Sequence, residues 1–543
     1  MATWTALRLP RRVSLVLVAL GVSFTFLYIL SRVKLGLAEM DLVGNVGHPA
    51  PAPSTADLSP VVDKPLNAPN EYIEAVPLDP YCAARFGTEY LEDIRDHAFS
   101  YCAPDAASRL TCFHSHTRSD GQVDTLCVGQ GVSFDTTKGK FWMHCPMREL
   151  ANDELERGAI RYQDFHDYWY ETGPHEVIKR GIDIYAQRPS HLVARNEPEV
   201  FEPVSSSTPQ EASGPPPPAS TFLLLKREGE GNLWHCMMEI FSSYLTIDAL
   251  SMSRDPLRGN EPFFNVTEEA ANTQVVILDD RDDGPYFDLW TLFARRKPLR
   301  LHELTADPAV SGAIQDAKFI IPLTGSSNPF WQDDQEVAKC NVAPTLSVFV
   351  DRVLGFYEIP EPPSVRSKED PIILTFIDRQ HRRLRDQDAL FKELEARYPH
   401  IAVRLIDFAA ISFPEQIRVI RETDILVGVH GAGHTHTMFM RHGAGAMVEI
   451  QPAAMDAANY RDLAYMRGLS YFRLHTTSID EDQPSPEGGE DASKAGEDEA
   501  AKSRRDDWHF QDVVIEPERF FLVMDAAIKS MYTRYPWSYD IDQ

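Results

Sequence analysis

From Thr221 onward the chain alternates short apolar runs with longer amphipathic stretches, and this alternation confines it to one fold class. The runs are Phe222–Lys226, Val275–Leu278, Phe319–Leu323, Ile372–Ile377, Ile401–Ile406, Ile425–Val429 and Ala446–Ile450. Helical spacing falls between them at Leu233–Leu250, Thr345–Phe356, Asp386–Arg397 and Pro414–Glu422, and again in the closing Val514–Met531. Strands that are apolar throughout belong to parallel sheets covered by helices on both faces. The expected class is therefore α/β.

Within that pattern Asp424–Met440 reads DILVGVHGAGHTHTMFM: a buried strand, a turn of small residues at His430-Gly431-Ala432-Gly433, and the start of a helix. Such a turn lets backbone N–H groups approach a ligand, and a helix N-terminus adds partial positive charge, so phosphate suits it. The plain alternative is a connection whose glycines solve only a backbone problem. Two neighbours favour the ligand. Ile372–Ile377 runs into Arg379, Arg382, Arg383 and Arg385, whose guanidinium forks match phosphate oxygens. Ala446–Ile450 places Glu449 near a strand's carboxyl end, where an acid can accept from ribose hydroxyls.

The region resembles glycosyltransferase family 61. Gly428, His430, Gly431, Ala432, Gly433, Thr435, Phe439, Met440, Glu449 and Pro452 match its pattern in order, and Arg379 and Arg383 fit its arginine spacing. The chain departs from it at His434, His436 and Gln387, where Leu, Asn and Asn are usual. Upstream, Glu230–Glu239 resembles the family's aromatic-His segment, and Gln274–Asp279 with Phe287–Trp290 resembles its next strand and helix. Within the family the appearance is nearest the EGF domain-specific O-linked N-acetylglucosamine transferases. The resemblance implies two Rossmann-like domains facing across a cleft, the GT-B arrangement, at 221–365 and at 366–478 with 508–543. It also implies transfer from a UDP-sugar, UDP-N-acetylglucosamine or UDP-xylose, to a hydroxyl of a glycoprotein or glycan, with inversion.

Sugar transfer needs a base for the acceptor hydroxyl and positive charge at the departing diphosphate. The candidate base is Glu239, with His235 one helical turn earlier as its alternative; a plain i,i+4 hydrogen-bonded pair is the structural reading of both. Candidates at the diphosphate and nucleotide are Arg379, Arg383, His430, Gly431, Ala432, Gly433, Thr435 and Glu449. No resident cofactor is expected beyond the UDP-sugar co-substrate, and a divalent metal is not expected to be essential. Three rival readings exist. Asp280-Arg281-Asp282 has the spacing by which another glycosyltransferase architecture holds a metal. His430, His434, His436 and His442 could ligate a metal in a hydrolase, although no carboxylate lies between His430 and Glu449. The third is a non-catalytic, membrane-anchored nucleotide-binding scaffold.

The N-terminus points to the secretory pathway. Arg8, Arg11 and Arg12 precede the uncharged run Val13–Leu30, which as a helix reaches ~27 Å and spans a thin bilayer. Ser31-Arg32-Val33-Lys34 follows instead of a cleavage site. The expectation is a single-pass type II signal anchor in the Golgi or endoplasmic reticulum, with residues 1–12 cytosolic, 13–30 in the membrane, 31–80 a stem and the body lumenal. Asn265-Val266-Thr267 is a glycosylation sequon. Of seven cysteines, Cys82, Cys102, Cys112, Cys127 and Cys145 crowd the region 81–200, predicting up to two bridges there with a thiol left over. Cys236 and Cys340 are expected as buried thiols or as a pair. Residues 201–220, with four prolines at Pro215–Pro218, read as a linker, and 479–507 as a disordered acidic insertion. A formal net charge of −28 argues against nucleic acid as a partner.

Overall fold

The computed structural model describes residues 66–72, 77–135, 138–184, 219–306, 314, 317–332, 337–361, 370–452, 455–476, 478–479, 512–533 and 538–540. The proposed anchor, the linker and the acidic insertion lie outside these residues. Among the described residues no helix is long and apolar enough to cross a membrane.

Fifteen strands build two sheets among the described residues. The first holds β1 (Ala98–Ser100), β2 (Arg109–Ser115), β3 (Asp124–Asp135), β4 (Lys140–Met143), β5 (Ile182–Ile184), β6 (Thr221–Leu225), β7 (Thr273–Ile277), β8 (Leu299–Arg300) and β9 (Ala317–Ile321). Its spatial order is β1-β2-β3-β9-β6-β7-β8, with β4 and β5 continuing from β3. Strands β9, β6, β7 and β8 are parallel, while β3 joins β9 antiparallel, Ile321 facing Cys127. The cysteine-rich stretch thus extends the same sheet as the strands after Thr221, a long-range pairing that apolar spacing does not reveal.

The second sheet holds β10 (Ile372–Asp378), β11 (Ile401–Asp407), β12 (Ile425–Val429), β13 (Ala446–Gln451), β14 (Ser470–His475) and β15 (Ser538–Asp540), all parallel in the order β11-β10-β12-β13-β14-β15. Every residue of β6, β7, β12 and β13 is buried, as two-sided coverage requires. In each sheet the winding direction reverses once: between β6 and β9 in the first, and between β10 and β12 in the second. Open α/β sheets bind ligands outside the strands' carboxyl ends at such reversals.

The principal helices are α1 (Pro80–Phe86), α2 (Thr88–Asp96), α3 (Leu233–Met252), α4 (Pro344–Phe356), α5 (Gln387–Arg397), α6 (Phe413–Glu422), α7 (Asn459–Met466) and α8 (Pro517–Thr533). Helices α3, α4, α5, α6 and α8 lie where spacing predicts, with one correction at the end. Val513–Val514 is a short strand against Ser478–Ile479, and α8 starts only at Pro517, whose fixed φ and missing N–H suit a first helical position. Residues 64–543 form one compact unit. One core cluster runs from Leu223 and Trp234 on the first sheet's side to Ile377, Leu426 and Phe439 on the second.

Cys102–Cys145 and Cys112–Cys127 are the two expected bridges of the crowded region. The left-over Cys82, on α1, pairs with Cys340 across 258 residues of sequence. That corrects the expectation for Cys340; Cys236 alone remains a buried thiol. Closure of so long a loop predicts that Cys340→Ser costs about 2–5 kcal/mol, read as a lower urea midpoint.

Candidate functional site

At the reversal of the second sheet, the turn after β10 meets the turn after β12. Arg379 Nη1 and Arg382 Nη1 both donate to the carbonyl of His430, at 3.3 and 2.8 Å. The guanidinium groups lie on the backbone of the small-residue turn. A Cβ on Gly431 would sit 2.8 Å from Arg379 Nη1 and 2.9 Å from Arg382, and one on Gly433 would sit 3.1 Å from Arg379 Nη2. Gly431 also has φ 142°, a conformation other residues avoid. The glycines are there because arginine and backbone must touch.

Arg379 is the unusual member. Burial first, and then the charge of Arg382, lower its guanidinium to about 10, leaving it cationic at neutral pH. Among the described residues no carboxylate side chain lies within ion-pair distance of it, and its buried Nη2 has no hydrogen-bond partner. Arg383 stands elsewhere. Its N–H donates to Asp512 at 2.8 Å, and its half-exposed side chain points to Asp378, with Nε 4.0 Å from Oδ1. Arg379 and Arg383 are the arginines that fit the family's spacing; in the fold it is Arg382, at φ 55°, that shares the His430 carbonyl with Arg379.

The turn continues as a 3₁₀-helix, Ala432–Phe439, not an α-helix. Its histidines are engaged internally. His434 Nε2 donates to the Gly428 carbonyl at 3.0 Å; His436 Nδ1 meets the Gly433 carbonyl and its Nε2 meets Gln416 Oε1, each at 2.8 Å. Burial lowers His434 to about 3 and His436 to about 4. This geometry disfavours the hydrolase reading, since a ligating ring needs a nitrogen aimed at a shared point. Thr435 is fully buried behind the turn, and Ala432 is half-buried.

Glu449 does not face outward as expected of a ribose ligand. It is fully buried, its Oε1 lies 2.5 Å from His430 Nδ1, and its Oε2 accepts from Tyr471 Oη at 2.6 Å. Burial alone would push this carboxyl up; the hydrogen bond and charge of His430, the charge of His434 and the Tyr471 hydroxyl outweigh it and hold it below the usual range. Glu449 therefore orients His430. Because its pKa is depressed on folding, Glu449 contributes stability above its unfolded pKa of about 4.3, lost as pH falls through the folded value. Tyr471→Phe should cost about 1.5–3 kcal/mol at neutral pH and weaken this acid dependence, measured by denaturation at several pH values.

The reversal of the first sheet gathers carboxyl groups instead. Asn232 caps α3, its Oδ1 accepting from the N–H groups of Trp234 and His235, and one turn on Glu239 points inward. Glu239 Oε1 accepts from the N–H of Glu228. Glu228 Oε1 accepts from Ser326 Oγ at 2.9 Å, Thr172 Oγ1 at 3.0 Å and Ser326 N–H at 3.2 Å. The remaining oxygen of each acid is buried without a partner. Gly325 makes the closeness workable, since a Cβ there would lie 2.8 Å from Glu239 Cγ and 2.9 Å from Glu228 Oε2. Burial, and then the charge of Glu228, push Glu239 far above the carboxylate range; burial also raises Glu228.

His235 makes no hydrogen bond to Glu239, so the plain i,i+4 pair does not form. Its ring packs on Trp331 and Tyr170, with centroids 4.5 and 5.0 Å away, and burial lowers it to about 4. Asp280 and Asp282 of the rival metal motif are exposed, while buried Arg227 holds the loop, clamping Asp279 and donating to the carbonyls of Arg281, Asp282 and Asp283. Spacing missed Glu228, Ser326 and Thr172, and it singled out Arg383 rather than Arg382 from the arginine run. Of the three missed, a visible signal existed for Glu228 alone, an acid three residues beyond a buried strand.

A row of rings connects the two reversals. His235 packs on Trp331, Trp331 on Trp234 at 6.3 Å, Trp234 on Tyr460 at 5.3 Å, and Tyr460 on His430 at 5.3 Å. Packed rings thus link the carboxyl cluster to the arginine-lined turn.

Residues 233–447, which hold Glu239, Arg379 and the His430–Gly433 turn, match the glycosyltransferase 61 family. The chain is similar to the EGF domain-specific O-linked N-acetylglucosamine transferase of Drosophila melanogaster, 25% identical over 255 residues, 46% of this chain and 44% of that protein. The Xenopus laevis protein of the same description is 31% identical over 139 residues, 25% of each chain. That of Mus musculus is 33% identical over 108 residues, 19% of this chain and 20% of that one. The matches thus span less than half the length of these relatives. Over residues 233–447, then, the chain is similar to glycosyltransferase family 61.

Proposed function

We propose that the protein transfers a sugar from a UDP-sugar to a hydroxyl of a protein or glycan in the secretory pathway. The observation that carries this reading is Arg379, a half-buried cation whose buried Nη2 has no hydrogen-bond partner and which has no acid partner among the described residues, placed at the reversal of an all-parallel sheet. A cation whose buried donor is left uncompensated is costly unless a ligand completes it. A diphosphate would complete this one, held by Arg379, Arg382 and the amides of Gly431–Gly433.

In the reaction the acceptor oxygen attacks the anomeric carbon, the bond from that carbon to the diphosphate oxygen breaks, and the electron pair leaves with UDP. The acceptor proton passes to a base on the first sheet: His235, lowered to about 4, is neutral and can accept it, and Glu239 can do so only once ionised. Arg379 and Arg382 neutralise the departing charge, the role a metal has in other transferases. Two facing Rossmann-like halves, direct displacement with inversion and a Val13–Leu30 anchor belong to the same reading. The relatives' names favour N-acetylglucosamine as the sugar and EGF domains as acceptors; UDP-xylose is the competing donor. The test is UDP release by the purified chain from a panel of UDP-sugars, repeated after exhaustive chelation. One donor should stand out and most activity should survive chelation. Nucleotide binding without turnover of any donor would select the scaffold reading, and complete metal-restorable loss would select the Asp280–Asp282 reading.

A further inference from the structure

Far along the chain from the carboxyl cluster and the arginine-lined turn, α2 and β2 bring two imidazoles and a carboxylate together. Asp93 and His97 are four residues apart at the carboxyl end of α2 and share a face, and His116 follows β2. One nitrogen of each ring and one oxygen of Asp93 lie within 4.8 Å of one another, the one such trio with three donors among the described residues. The ring centroids are 4.5 Å apart.

The protons on these rings are already assigned by their partners. His97 Nδ1 lies 2.7 Å from the Asp93 carbonyl and His116 Nε2 lies 2.9 Å from the Gly158 carbonyl. A carbonyl only accepts, so those nitrogens carry the N–H. The lone pairs are then on His97 Nε2 and His116 Nδ1. Metal-ligating histidines are held in this way, the non-ligating nitrogen donating to a main-chain carbonyl. Asp93 is oriented too, its Oδ2 accepting from the His116 N–H at 3.0 Å. Its Oδ1 lies 3.1 Å from His97 Nδ1, a contact that a bound cation would weaken. Gly158 has φ 98°, and a Cβ there would sit 2.9 Å from an atom of each ring, so its loop seats on both.

We propose that Asp93, His97 and His116 bind one divalent transition-metal ion of the zinc type, fastening the end of α2 to the end of β2. Two imidazoles and a carboxylate suit zinc or cobalt better than magnesium or calcium, which prefer oxygen throughout. Bonds of about 2.0–2.2 Å require the donors to draw closer than 4.8 Å, and exposed His116 can turn to do so. The role is structural and independent of sugar transfer.

The test uses the full-length chain, stripped with chelator and dialysed, then titrated with Co²⁺ and Zn²⁺. One equivalent of Co²⁺ should give a visible d–d spectrum that one equivalent of Zn²⁺ abolishes, and Zn²⁺ should raise Tm. His116→Ala and Asp93→Asn should each weaken Zn²⁺ binding about tenfold or more and remove the Tm rise. Since His116 is exposed, its variant should fold, and His475→Ala serves as the control that keeps the response. No stoichiometric Co²⁺ spectrum in the wild type, or a spectrum unchanged in both variants, would overturn the proposal.

Discussion

Replacement of Arg379 by Met should separate binding from folding: UDP affinity falls about 100-fold, ~2.7 kcal/mol, while the melting temperature holds or rises. The side chain is half-buried, has a buried, unpartnered Nη2, and has no carboxylate side chain within ion-pair distance among the described residues. Its charge therefore stabilises a bound anion and not the empty protein. Methionine keeps most of the volume and removes the charge. Arg383→Ala should have a far smaller effect, because that side chain is half-exposed and turned toward Asp378. Calorimetric titration with UDP, paired with thermal melts, reads both quantities. An Arg379→Met protein that melts much lower yet binds UDP normally would make Arg379 a structural residue and remove the main support for the diphosphate site.

Glu239→Gln should lower kcat about 10²- to 10⁴-fold with UDP affinity nearly unchanged. The substitution is gentle on the fold: the amide oxygen can still accept from the Glu228 N–H, and the amide NH₂ can donate to the unpartnered Glu228 oxygen. Its effect on pH dependence has a definite sign. A carboxyl raised on folding binds its proton more tightly in the folded state than in the unfolded chain. That contribution is complete below about 4.3, the unfolded value, and is lost as pH rises toward the folded pKa. The Gln variant should therefore lose less stability than the wild type between acid and alkaline pH, measured by urea midpoints across that range. Retained kcat in the variant would pass the base role to His235, which His235→Asn then tests.

Much of the fold was legible because burial writes itself into local pattern. The seven apolar runs are β6, β7, β9, β10, β11, β12 and β13 within a few residues, and the predicted helices are α3, α4, α5, α6 and α8. The His430–Gly433 turn was legible for a similar reason, since glycines in a row after a buried strand announce a close backbone approach. Arg382 was not. Its place beside Arg379 depends on a left-handed residue within an irregular turn, and spacing rules assume regular backbone. Glu449 was placed correctly at a strand end but its partners were not foreseen, because Tyr471 reaches it from the neighbouring strand β14.

The division follows the range of the interactions involved. What lies within about one helix or strand, namely the α/β class, the positions of most strands and helices and the His430–Gly433 turn, was set by residues close in sequence. What joins distant segments was decided only by the folded chain. Cys82 reaches Cys340, β3 pairs with β9, and Glu228 meets Glu239 and Ser326 because three separate segments converge on one sheet reversal. Strand order is settled by which buried faces pack and how crossovers turn, and no local spacing encodes it. The arginines and the carboxyl pair become candidates for one reaction only through the folded chain, where the ring row from His235 to His430 links the two reversals.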